Sequence, residues 1–337
     1  MNNDKKQIFV VGSSRSGTTM MGRILGNHTD IFTFNELHFF GTIWSSHSGK
    51  KITKINQVNM LSRLLCIQEN GLFNQNNISK FNDKSKKILL NKECNELEVY
   101  ELFLNTIVEE NKSLISCEQT PKNIYYLDEI LLHFPNARVI NLVRDQRDVL
   151  LSQKNKWKRK FLGASAIPLY EAIRSFVNYH PLVMSKIWLS SLEHTKKYIN
   201  HNRVKIVKFE ELVSSPEDII KKLCVFLDVD FQKKMLLVPI LGSSTEKDSK
   251  DQLRIDSSKI NKWKNGGLSN AEIYLSQKIS ANMLQKFDYK LNDFSFPPLL
   301  SIYYLLIFPV KLILTFVFNM HRMPNIFKVI KKRFFVK

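Results

Sequence analysis

What this 337-residue chain lacks narrows its class before any motif is read. Its four cysteines, Cys66, Cys94, Cys117 and Cys224, are widely spaced and form no C-x-x-C pair. That argues against a disulfide framework and for reduced thiols in a cytosolic chain. The eight histidines form no H-E-x-x-H or similar cluster, so no metal site is expected. The opening Asn2-Asn3-Asp4-Lys5-Lys6-Gln7 is polar, so neither a signal peptide nor an N-terminal anchor is expected. Acidic residues are scarce: 31 Asp+Glu face 50 Lys+Arg, a formal net charge of +19. Such a surface attracts anions, whether nucleotide, anionic membrane, acidic glycan or nucleic acid, and charge alone does not choose among them. Hydrophobic and charged contents of 44% and 24% are those of a globular protein of one large domain, with or without appendages.

What is present is organised around Ile8-Phe9-Val10-Val11-Gly12-Ser13-Ser14-Arg15-Ser16-Gly17-Thr18-Thr19. Four apolar residues read as a buried strand and the Gly/Ser run as a tight loop. A helix opens near Gly17 and stops at Gly26-Asn27. Strand, glycine loop and helix N-terminus make a phosphate cradle, because N–H groups and the positive dipole end converge there. The spacing matches G-x-x-x-x-G-K-[ST] at Gly12, Gly17 and Thr19, but Thr18 replaces the lysine that reaches β- and γ-phosphates. The loop therefore suits a 5′-phosphate better than a triphosphate. That weakens one alternative, a P-loop nucleotide kinase or NTPase. A second alternative is a non-catalytic, basic nucleic-acid- or membrane-binding protein.

Arg15-Ser16-Gly17-Thr18-Thr19 resembles the 5′-phosphosulfate loop of sulfotransferases that use 3′-phosphoadenosine 5′-phosphosulfate (PAPS). The resemblance implies that Ser14, Arg15, Ser16, Gly17, Thr18 and Thr19 bind that group. A second strand, Ala137–Val143, runs into Arg144-Asp145-Gln146-Arg147-Asp148, with Asp145 placed to cap the next helix. Arg144 thus falls at a strand's carboxyl end, where open α/β sheets bind ligands. R-D-x-R-D-x-x-x-S resembles the 3′-phosphate motif of the same family, which implies that Arg144 and Ser152 hold that phosphate. Arg147 reads as a surface or ion-paired residue.

Glu36-x-His38-Phe39-Phe40 is similar to the E-x-H-F-F segment of heparan sulfate sulfotransferases, and Glu36 also falls where tyrosylprotein sulfotransferases carry a catalytic Glu. The resemblance implies that Glu36 is the general base, with His38 the alternative. A Glu with its unperturbed pKa of about 4.3 is a weak base for an alcohol, so partial burial is expected to raise that pKa. Where the family's strand end carries a Lys before Thr-Pro, this chain has Gln119, which leaves Lys122 as the candidate cation on the leaving group. Lys262 and Lys264, flanking Trp263, resemble the family's basic Trp-containing loop that folds over the nucleotide, which implies that they contact its 3′-phosphate.

These readings imply a three-layer α/β, P-loop NTPase-like fold with a central parallel sheet. Residues 1–295 are expected to form the catalytic domain, with about 45–112 a helical insertion or lid, and 296–337 a hydrophobic and basic tail. The run Leu299–Phe318 has the length of a membrane span but contains Pro309 and Lys311. The cations and aromatics after it suit an anionic leaflet. The expected protein is a bacterial, cytoplasmic enzyme, peripheral on the inner face of the membrane. It would use PAPS as co-substrate, no metal and no nucleic acid, and act on a hydroxyl-bearing acceptor, a glycan.

Overall fold

The computed structural model describes residues 5–44 and 49–320, so the basic segment 321–337 lies outside the described residues. In chain order, β1 (Gln7–Gly12), α1 (Thr18–Gly26) and β2 (Ile31–Thr33) lead into α2 (Lys54–Asn70), α3 (Asn82–Ile88) and α4 (Glu96–Glu110). Then come β3 (Ile115–Glu118), α5 (Leu127–His133), β4 (Ala137–Val143), α6 (Gln146–Lys154), α7 (Leu169–Val177) and α8 (Pro181–Lys197). The chain continues through β5 (Val204–Lys208), α9 (Phe209–Ser214) and α10 (Pro216–Leu227). A short hairpin, β6 (Pro239–Ile240) and β7 (Ser249–Leu253), precedes α11 (Asn270–Lys286) and α12 (Leu300–Asn319).

The main sheet has the order β2-β3-β1-β4-β5, and every pairing in it is parallel. Both faces of such a sheet must be covered, which is why β1 reads as an unbroken apolar run rather than an alternating one. Phe9 and Val11 point into a cluster with Leu61, Leu64, Phe103 and Phe134, while Ile8 and Val10 meet Met21, Ile24, Leu223 and Leu227 on the other face. The result is the expected three-layer α/β arrangement. The segment read as an insertion or lid contributes α2 and α4 to the first of these layers, so its helices bury apolar stripes under the sheet instead of covering the phosphate loop. All four cysteines are free and buried.

β1 is central, and the chain leaves it toward β2 and β3 on one side and β4 and β5 on the other. That reversal opens a crevice at the strands' carboxyl ends. The phosphate loop, Glu36, Gln119, Arg144 and Phe209 all follow strand ends on this edge.

Candidate active site

The loop between β1 and α1 is shaped by two glycines. Gly12 has φ 145°, and a Cβ there would lie 2.3 Å from the Leu142 carbonyl oxygen. Gly17 has φ 98° and N-caps α1 without a side-chain cap bond, and its Cβ would lie 2.6 Å from the Phe209 ring. The first-turn amides of α1 therefore meet no competing cap, as an anion site requires. Arg15 also adopts positive φ, 76°, a costly backbone state for a residue with a side chain and one that concentrates at functional loops.

From this strained position Arg15 reaches across the crevice. Its Nε donates to Ser152 Oγ at 2.8 Å, and its Nη2 donates to the Gly242 carbonyl at 2.6 Å and Ser244 Oγ at 2.8 Å. Burial, then the neighbouring Arg159 and Arg144, pull its pKa down to about 10. Arg144 donates from Nη1 to the Arg15 carbonyl at 3.2 Å and from Nη2 to the Lys259 carbonyl at 2.7 Å, and its guanidinium lies 4.2 Å from the Phe209 ring centre. Its Nε is buried and has no partner among the described residues. Ser14, Arg15, Gly17, Thr18, Thr19, Glu36, Arg144, Ser152 and Lys262 all line one cleft of about 280 Å³.

Glu36 stands at the β2 side of that cleft. Thr19 Oγ1 donates to its Oε1 at 3.3 Å, and His38 Nε2 lies 3.3 Å from its Oε2. Burial by itself would raise its pKa. The His38 hydrogen bond, the His38 and Lys156 charges and the Thr19 bond outweigh burial and hold it below the ordinary carboxylate value. The expected upward shift is thus reversed, because the carboxylate is surrounded by donors and positive charge. His38 is pushed the opposite way from a charged partner: burial lowers its pKa, helped by Lys122 and Lys156 and opposed by Glu36. The turn that carries both is pinned from β3, where Leu37 N–H donates to Glu118 Oε1 at 3.4 Å and His38 N–H to Thr120 Oγ1 at 3.2 Å.

A model of the sulfotransferase family matches residues 7–233, which run from β1 into the segment after α10. The chain belongs to the sulfotransferase family. An uncharacterised protein of Aquifex aeolicus is 26% identical over 268 residues, 77% of this chain, and this chain spans 30% of that relative's length. Among solved structures, the sulfotransferase domain of the Synechococcus PCC 7002 olefin synthase is similar with a TM-score of 0.53 at 19% identity, covering 87% of this chain and 98% of that domain. The sulfotransferase domain of the curacin biosynthetic pathway gives 0.51 at 20% identity, covering 85% and 98%. At these identities the two structures speak for the P-loop NTPase-like fold.

Within this sulfotransferase the remaining sequence candidates separate. Gln119 is turned from the cleft: its Nε2 donates to the Phe34 carbonyl at 3.3 Å and its side chain packs on Gly22 of α1. Lys122 is exposed, and its charge is felt at His38. Ser16 is buried beneath the loop, its N–H donating to the Ser13 carbonyl at 3.1 Å. Lys262 lines the cleft and pairs with Glu246, whereas Lys264 is not brought there and lies 5.7 Å from the Trp263 ring on the far side of that loop. Arg147, read as a surface or ion-paired residue, is buried. It forks Asp145 at 2.7 and 3.0 Å and stacks 4.0 Å over Trp263. Asp148 accepts from Asn261 N–H at 2.9 Å and Trp263 N–H at 3.0 Å, and so ties the basic loop to α6.

Several site residues carry no signal in the sequence. Lys156, in the turn after α6, lies close enough to Arg15 and Glu36 to interact with both. Burial, Arg15 and Arg174 lower its pKa to about 8. Ser244 comes from a polar loop and Arg159 from the basic run after α6, and Arg159 forks Asp248 at 2.7 and 3.1 Å to shape the wall around Gly242. Phe209, which reads as core in its V-x-F-E-E-L segment, is buried and is also the platform under Arg144. Among the described residues no group of three or more His, Cys, Asp or Glu side chains is placed to hold a metal ion.

Proposed function

We propose that this sulfotransferase moves the sulfuryl group of PAPS onto a hydroxyl of a carbohydrate or glycoconjugate, acting in the cytoplasm on the inner face of the membrane. One observation carries the donor assignment. The 5′-phosphate loop and the R-D-x-R-D-x-x-x-S segment meet in a single cleft, joined by the Arg15–Ser152 hydrogen bond at 2.8 Å. Two phosphate-binding elements held on adjacent strands suit a nucleotide phosphorylated at both its 5′ and 3′ positions. The buried, unpartnered Nε of Arg144 is a donor still available to an anion there.

In this reading the amides around Ser14–Thr19 orient the 5′-phosphosulfate, while Arg144 and Ser152 orient the 3′-phosphate. Glu36 takes the proton of the acceptor hydroxyl as its oxygen attacks sulfur. The bond from sulfur to the bridging phosphate oxygen breaks, and 3′-phosphoadenosine 5′-phosphate (PAP) leaves with the electron pair. The displacement is in line, so positioning and charge stabilisation supply most of the rate. With Gln119 turned away, Arg15 on the cleft wall is placed to balance the developing charge, and Lys156 adds its positive field at Arg15 and Glu36. Lys122, further out, acts on His38. The glycan assignment rests on the Glu36-x-His38-Phe39-Phe40 resemblance.

Incubating the enzyme with PAPS labelled in sulfur and with separated envelope and soluble fractions tests this reading. Label in a carbohydrate-bearing product is expected. Absence of label from every fraction, together with ATP turnover, would replace it with a P-loop NTPase.

A further inference from the structure

α12 is 20 residues long, with a mean hydropathy of 2.0, and only 6% of its most apolar window is buried. At 1.5 Å per residue it matches the roughly 30 Å of a bilayer's hydrocarbon core, so length and composition alone permit a span. Its attachments decide otherwise. The His180 ring meets the Tyr304 carbonyl at 3.0 Å near the start of the helix, and Lys311 donates to the Val177 carbonyl at 3.5 Å in the middle. Near its end, Tyr170 donates to the Phe318 carbonyl at 3.2 Å and Arg174 to Asn319 Oδ1 at 2.6 Å. The helix is therefore strapped lengthwise to the catalytic domain along α7. A spanning α12 would either break these bonds or draw the Glu171–Arg174 ion pair into hydrocarbon.

The opposite stripe is bare. Leu299, Ile302, Leu306, Val310, Ile313 and Val317 recur at helical spacing, each more than half exposed. α7 adds exposed Ile173 and Phe176 beside it, and the turn packed on α7 adds Phe161. That turn, Lys156–Phe161, is otherwise basic, with Trp157 in ring contact with Phe176. An apolar ridge with a basic, aromatic rim is the chemistry of a helix seated at the interface of an anionic bilayer. The sequence beyond the helix, 321–337, carries six Lys or Arg residues and no acidic one. A second copy fits less well, because a net charge of +19 repels its own kind.

We propose that α12 and α7 dock this enzyme in the plane of an anionic bilayer, without crossing it, so that the cleft takes hydroxyls borne on membrane lipids. The acceptor half of this inference rests on the transferase reading above. It follows from Arg159, which sits on the docking turn and lines the cleft, donating to the Ser243 carbonyl at 2.9 Å next to the Ser244 that binds Arg15.

The test uses the full chain with a C-terminal tag and phosphatidylcholine vesicles made with or without phosphatidylglycerol. The protein should float with the anionic vesicles, its tag should stay open to added protease, and Leu306→Glu/Ile313→Glu should lower the bound fraction about tenfold or more. That variant should keep its affinity for PAP and its unfolding temperature, since neither side chain faces the domain. No flotation, equal flotation of the variant, or a tag protected inside the vesicles would overturn the docking. Sulfate transfer from labelled PAPS into organic-extractable envelope lipid should also drop about tenfold in the variant. Transfer only to water-soluble acceptors would overturn the lipid assignment. Flotation without transfer to any acceptor would sink the enzymatic reading and leave the docking in place.

Discussion

Arg15 Nε donates to Ser152 Oγ at 2.8 Å, a bond between residues 137 positions apart that closes the crevice between the β1 loop and α6. It brings the elements proposed for the two phosphates of one nucleotide within a side chain's reach. Arg144 completes the junction by donating to the Arg15 carbonyl from its seat on Phe209.

Arg144→Ala should therefore act on one phosphate. Loss of a charge-assisted contact to that phosphate costs about 1.5–3 kcal/mol, roughly 10- to 150-fold in affinity. Titration calorimetry should show that loss for PAP and little change for adenosine 5′-phosphate. Equal losses for both nucleotides would remove Arg144 from the 3′ site.

The Glu36–His38 pair predicts the acid limb of the pH profile. Glu36 accepts a proton only when ionised, and its pKa is held below the ordinary value, so activity should persist down the pH scale until that lowered pKa is crossed. His38→Ala removes the principal donor, and the acid limb of kcat/KM should move to higher pH. An unmoved limb would show that His38 does not tune Glu36.

Lys156 predicts the alkaline side. Its pKa, lowered to about 8, means that the fold disfavours its charged form. Between about 8 and the unfolded value near 10.4, the unfolded chain binds more protons, so this group's contribution to stability rises with pH there. Lys156→Met should accordingly raise the unfolding temperature at pH 7 while lowering kcat by roughly 10²-fold. Lys156→Arg should retain much of the activity and carry it to higher pH. A Met variant with full kcat would exclude the lysine from charge stabilisation.

Gly17→Ala meets two obstacles, a φ of 98° and the Phe209 ring 2.6 Å from the new Cβ. Backbone strain and overpacking together should cost about 2–4 kcal/mol by denaturant unfolding. PAP binding should weaken too, since Phe209 also seats Arg144. A neutral substitution would mean that the loop yields easily.

Arg147→Ala should be among the most damaging charge removals. It leaves Asp145 buried without its guanidinium and takes the stacking surface from Trp263, at about 3–5 kcal/mol.

Local chemistry carried much of this in the sequence. β1 is legible because a central parallel strand is apolar on both faces, and the loop because Gly12 and Gly17 hold conformations and contacts that no Cβ allows. Asp145 caps α6, and Ser269 with Glu272 forms a capping box on α11, as side chains that satisfy orphan amides must. Such signals depend on neighbours within a few positions. What only the tertiary structure decided depends on residues far apart: Gln119 packed against Gly22, Arg147 stacked on Trp263, Lys264 turned from the cleft, and Lys156 carried to Glu36. The same holds for α12, whose composition permits a span and whose ties to α7 lay it along the domain. Which neighbour a charge or an apolar face finds is set by crossovers of the chain, and a local pattern holds no record of them.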